Sequence, residues 1–121
     1  PAVEYPYFWG YAEEKGRGQA RGTNHNEPLP AGTRLKEYAP ALDRILNKIR
    51  EFDPAYLIVA AGFDTHETDP IGSFKLQTED YPAIGRRFRS LGIPTLICQE
   101  GGYNLDVLGE CVKNFLVGID S

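Results

Sequence analysis

The chain has 121 residues, 41% of them hydrophobic, enough for one modest core and a single domain. Thirteen Lys and Arg stand against 17 Asp and Glu, giving a formal charge of −4 and a pI near 5.1. No basic cluster offsets that acidity, so a nucleic-acid surface is not expected. The sequence has no 18-residue apolar run and no charged-then-apolar leader, so neither a membrane span nor a signal peptide is expected.

Residues 1–34 carry little helical or strand periodicity. Tyr5, Tyr7, Phe8, Trp9 and Tyr11 form an aromatic cluster, and Gly16, Gly18 and Gly22 follow among charges. An irregular run of this length inside a compact domain tends to be functional or to lean on other structure. By composition alone, the aromatics read as cover for a core. Leu35 to Arg50 then reads as an amphipathic helix, with Leu35, Tyr38, Leu42, Ile45, Leu46 and Ile49 at three- and four-residue steps. Pro40 moves its expected start to Glu37 or later, and Asp53-Pro54 closes it.

Tyr56-Leu57-Ile58-Val59-Ala60-Ala61 is an unbroken apolar run, expected to form a strand buried on both faces. Gly62 ends it and puts Asp64 just past the strand's carboxyl end, the edge at which open α/β sheets bind ligands. A loop to Leu76 precedes a helix bearing Tyr81, Ile84, Phe88 and Leu91. Thr78 or Asp80 is its expected cap, and Gly92 its stop. The second strand, Pro94 to Gln99, runs into Glu100-Gly101-Gly102-Tyr103-Asn104. Asn104 is expected to cap a last helix whose apolar face is Leu108, Cys111, Val112, Phe115, Leu116 and Ile119. Helix, strand, helix, strand, helix over 35–121 predicts an α/β fold with a parallel strand pair. Two parallel strands make a small sheet, so an unpaired edge is expected, completed by missing chain, a second copy or a partner protein.

Chemistry gathers on the rim shared by the two strands. Asp64 is a candidate metal ligand, because zinc accepts carboxylate oxygen; a loop-forming or helix-capping Asp is the plainer alternative. Tyr103, on a double-glycine turn, is a candidate hydrogen-bond donor to a developing oxyanion, or a packed tyrosine. His25 and His66 read as structural, and Glu67 and Asp69 as loop carboxylates, with Asp69-Pro70 shaping a turn. Cys98 and Cys111 read as buried free thiols of a reducing cytoplasm, with a disulfide or metal pair as the alternative. A nucleotide-binding domain is disfavoured, since no G-x-G-x-x-G spacing or P-loop lysine follows either strand.

Gly62-Phe63-Asp64, Asp69-Pro70-Ile71-Gly72, Phe74-Lys75-Leu76 and Glu100-Gly101-Gly102-Tyr103 together resemble the zinc-dependent histone deacetylase superfamily, nearest its bacterial acetylpolyamine amidohydrolases. The resemblance covers essentially the whole chain, which corresponds to the C-terminal part of a larger, three-layer α/β domain with a parallel sheet. It implies a single partial domain over 1–121, with Asp64 as one zinc ligand, Tyr103 as the catalytic tyrosine, Gly101 and Gly102 as its hinge, and Ile71 at the rim of the substrate pocket. Residues 1–34 would cross the surface near the active-site mouth, with the aromatics lining a substrate channel as the alternative to covering core. The implied substrate is an acetylated polyamine or acetyl-lysine, and the implied cofactor is zinc. The remaining zinc ligands and the water-activating His-His pair match nothing in these residues. The isolated chain is therefore expected to be inert, working with a missing domain or as an oligomer. The alternative is a non-catalytic binding or assembly module that keeps the fold remnant.

Overall fold

The computed structural model describes residues 7–121, so Tyr5 of the aromatic cluster lies outside the described residues. The chain divides into two compact units, Pro1–Pro30 and Ala31–Ser121.

The described part of the first unit is irregular apart from a single 3-10 turn at Gly18–Ala20. Polar side chains organise it. Glu14 accepts the backbone N–H groups of Gly10 and Tyr11, and Asn24 and Asn26 donate to the carbonyls of Glu14 and Tyr11. His25 bonds Glu27 through Nε2 at 2.8 Å. Tyr7, Phe8 and Trp9 are exposed.

The second unit holds α1 (Leu35–Phe52), β1 (Leu57–Ala61), α2 (Tyr81–Arg89), β2 (Thr95–Gln99) and α3 (Leu105–Asp120). Helix α1 starts at Leu35, earlier than Pro40 suggested, with the Glu37 carboxylate accepting the Arg34 N–H at 3.1 Å. Pro40 is tolerated inside the helix because it lies on the solvent side, beside the buried Ala39 and Ala41. The carbonyl it leaves unbonded, that of Lys36, belongs to an exposed residue that water can reach. Asp53 ends α1 in the left-handed conformation, its N–H bonded to the carbonyls of Ile49 and Arg50.

Strands β1 and β2 pair in parallel, Leu57 opposite Thr95 through Ala61 opposite Gln99. The ladder extends past both strands, since Glu100 donates to the Ala61 carbonyl and Phe63 to the Gly101 carbonyl at 2.7 Å. One face of the sheet, with Ala61 and Ile97, packs on a core of Leu42, Leu46, Phe63, Leu76, Tyr81, Ile84, Cys111 and Phe115. The other face is open: the paired Ile58 and Leu96 are 69% and 59% exposed. The expected burial of β1 on both faces is therefore not met. A buried parallel strand needs cover on each side, and within this unit the cover lies on one side only.

The three helical faces follow the predicted periodicity, except that Leu116 is exposed. Helices α2 and α3 cross at two glycines. A Cβ on Gly85 would strike the Phe115 carbonyl, and one on Gly118 the Pro82 carbonyl. Asp80 holds the N-cap position of α2 as expected, but its side chain makes no bond into the helix. Thr78–Asp80 forms a 3-10 turn ahead of it, the Asp80 carboxylate accepts the Gln77 N–H at 2.8 Å, and Thr78 Oγ1 is bonded to His66. Asn104 does cap α3, accepting the Asp106 N–H at 3.1 Å. Cys111 is buried and Cys98 half-buried, and both are free thiols. Burial pushes the Cys111 thiol above its ordinary range, so it stays protonated and inert.

Candidate functional site on the strand rim

The two loops leaving β1 and β2 meet at the carboxyl end of the sheet, as their sequences suggested. The Asp64 carboxylate lies between two glycines. A Cβ on Gly62 would come within 2.9 Å of Asp64 Oδ1, and one on Gly101 within 2.8 Å of its Cγ. A third glycine, Gly72, sits over the Asp64 carbonyl, where a Cβ would collide. The glycines of this stretch are thus needed chiefly for closeness to one aspartate. Gly102 has a different reason. Its φ of 137° is outside the range of ordinary side chains, and a Cβ there would meet Leu108 Cδ1 at 2.6 Å.

Tyr103 follows Gly102 on the same turn and is 51% exposed. Ile71, on the facing loop, is 69% exposed. Sequence reasoning missed what ties these parts together. Asp69 is buried and accepts the N–H groups of Ile71 at 2.8 Å and Gly72 at 2.9 Å through Oδ1. Its Oδ2 accepts the Tyr103 N–H at 2.8 Å. Burial by itself would raise the Asp69 pKa. The backbone donors, Gly72 foremost, outweigh it and hold the carboxyl below the usual carboxylate range. A second tie runs beside the first, since Asn104 Nδ2 donates to Thr68 Oγ1 at 2.7 Å.

His66 is buried in that same network. Its Nδ1 accepts the Thr68 N–H at 3.2 Å, and its Nε2 lies 3.1 Å from Thr78 Oγ1. The backbone donor assigns the proton to Nε2, and both nitrogens are thereby used in holding the loop. This agrees with the structural reading of His66. The loop closes through Leu76, whose N–H and carbonyl bond the Thr65 carbonyl and the Glu67 N–H. Beneath it, Phe63 packs on Tyr81 and Phe115 with ring centroids 5.5 and 5.8 Å apart. The Tyr81 hydroxyl bonds Thr65 Oγ1 at 3.0 Å.

The residues of the rim fit zinc only in part. Asp64 offers a carboxylate set tightly between glycines beside an exposed phenol-bearing turn, a suitable single oxygen ligand. Yet among the described residues no group of three or more His, Cys, Asp or Glu stands close enough together to hold a metal. Among the described residues, Asp64 is thus a candidate ligand without the neighbours that would complete a metal site.

Comparison with known proteins decides the family. The histone deacetylase domain model matches residues 1–119. The chain belongs to the histone deacetylase family. It is 42% identical over 120 residues to acetylpolyamine amidohydrolase 1 of Pseudomonas aeruginosa, covering 99% of this chain and 35% of that protein. It is 41% identical over 119 residues to the acetylpolyamine amidohydrolase of Mycoplana ramosa, covering 98% and 35%. The crystal structure of the acetylpolyamine aminohydrolase of Burkholderia pseudomallei superposes with a TM-score of 0.94 at 31% identity, covering 98% of this chain and 34% of that one. The α/β architecture seen here is thus part of the histone deacetylase fold, and the chain spans about a third of the length of the curated relatives it matches. Among the described residues, no helix is long and apolar enough to cross a membrane.

Proposed function

We propose that this chain forms the C-terminal portion of a zinc-dependent amidohydrolase that cleaves N-acetyl amides of acetylated polyamines or acetyl-lysine. The observation that carries this reading is the Asp64 carboxylate held between Gly62 and Gly101, on the same rim as the Tyr103 turn. Asp64 would be one ligand of the metal. When bound, zinc supplies Lewis-acid polarisation of the acetyl carbonyl. The chain's own contribution is positional. The Tyr103 hydroxyl donates a hydrogen bond to the oxygen that gains charge as the amide carbon turns tetrahedral. Gly101 and Gly102 let the backbone approach closely, and Ile71 offers an apolar rim to the substrate's methylene chain.

His66, the buried histidine of the rim, is occupied by Thr68 and Thr78 and so is not a free base for water. On this reading the 121-residue chain alone is inert and takes further ligands from outside it. A reducing cytoplasm suits its two free thiols.

The test is zinc content and hydrolysis of acetyl-lysine and acetylpolyamine reporters, each beside Tyr103→Phe. The expected result is a folded chain with substoichiometric zinc and no turnover. Chelator-sensitive turnover lost in Tyr103→Phe would uphold the chemistry and overturn the inertness.

A second reading, a non-catalytic assembly module, is favoured by the open Ile58 and Leu96 face. It requires self-association or a partner. A chain that sediments as a strict monomer at high concentration counts against completion of the sheet by a second copy.

A further inference from the structure

The mechanism above uses Tyr103 and Asp64 and leaves Asp69 without a role. Asp69 is buried, and each of its oxygens is committed to backbone. Oδ1 takes Ile71 and Gly72, two and three residues ahead, which builds its own turn. Oδ2 instead reaches across 34 residues to the Tyr103 N–H at 2.8 Å. Turn-building needs one oxygen only, and Asn would supply it. The second oxygen is what only a carboxylate adds, and it is spent on the residue that carries the phenol.

We propose that Asp69 is the positioning residue of this site, clamping the Tyr103 turn to the loop that carries Asp64. Its catalytic meaning rests on the amidohydrolase reading above; the clamp itself does not. Ahead of the clamp the turn is held by the Phe63 N–H on the Gly101 carbonyl at 2.7 Å. Gly101 and Gly102 precede Tyr103 without side chains, Gly102 stands at a φ of 137°, and Tyr103 is half exposed. A phenol meant to meet a transition state needs its backbone fixed to a fraction of an ångström. The charged acceptor makes this the stronger kind of hydrogen bond. The Asn104–Thr68 bond at 2.7 Å lies next to it and joins the same two loops.

The substitution Asp69→Asn separates the two tasks. Its single oxygen can face Ile71 and Gly72, which turns its NH2 group toward the Tyr103 N–H, where two donors repel. In the isotope-labelled 121-residue chain, the expected result is amide exchange of Tyr103 faster by about tenfold or more, with Ile71 and Gly72 little changed. Equal exchange at Tyr103 in both proteins overturns the proposal, as does an equal rise at all three amides in a folded variant.

A second measurement needs no variant. In the unmodified chain, a through-hydrogen-bond coupling is expected between the Tyr103 amide nitrogen and the Asp69 carboxyl carbon. Its absence, when the couplings to Ile71 and Gly72 are seen, overturns the clamp even if Asp69→Asn fails to fold. Neither measurement involves zinc or substrate. Failure of the clamp and failure of the amidohydrolase reading are therefore read separately.

Discussion

The rim of the sheet and its open face are made from the same two strands and could hardly differ more. At the rim, three glycines close on Asp64, Asp69 ties one loop to the other, and both nitrogens of buried His66 are bonded. On the open face, Ile58 and Leu96 stand side by side with most of their surface exposed. The rim is completed by backbone groups that this chain supplies. The face has no such cover among the described residues. Local precision and global burial are thus independent here. A half-site can be fully formed on a sheet that is only partly covered.

Changes beneath the rim should break this contrast most strongly. Leu76 is fully buried and closes the loop, so Leu76→Ala is expected to cost about 2–5 kcal/mol in urea unfolding. It should also loosen the amides of Thr65 to Gly72. Next is Gly101→Ala, which drives a methyl into the Asp64 carboxylate and is expected to cost about 1–3 kcal/mol, with shifts confined to the rim. Acid should act on the rim as well. The Asp69 pKa is lowered in the folded chain, so its contribution is complete above the ordinary carboxylate value near 4 and is lost as pH falls through the lowered value. Stability should therefore drop on acidification below about pH 4, and Asp69→Asn should flatten that part of the curve. The smallest effect belongs to the open face. Ile58→Thr should change monomer stability by no more than about 0.5 kcal/mol while reducing self-association in sedimentation. A large loss of stability with no change in association would mean that the face is covered after all.

The contrast also marks what could be read from the sequence. Helices α1, α2 and α3 were legible because their apolar residues recur at helical steps, and the strands because each run is short and β-branched. The pairing of the loops after Gly62 and Gln99 followed from strand order. Burial of β1 on both faces was overread, since an apolar run records the environment of a complete sheet rather than of this unit. The start of α1 was misjudged because the sequence does not say that Pro40 faces water. Asp69 was seen only as a turn former. Its long-range partner is a backbone N–H, which every residue but proline possesses, and so it leaves no mark in composition or spacing. The His66 partners, Thr68 and Thr78, were equally silent, because threonine hydroxyls are common and only folding selects two of them.

The bond between Asp69 and Tyr103 also closes a ring of chain. It encloses α2 and β2, with its two ends only a hydrogen bond apart. The entropy of closing such a ring rises only with the logarithm of its length, about 0.6 kcal/mol for each doubling. The turn between α2 and β2, where Gly92 is exposed with open space around it, should therefore accept inserted sequence, even a small folded domain, without releasing the rim. Reporter modules or regulatory insertions could be housed at that end of the molecule, far along the strands from Tyr103.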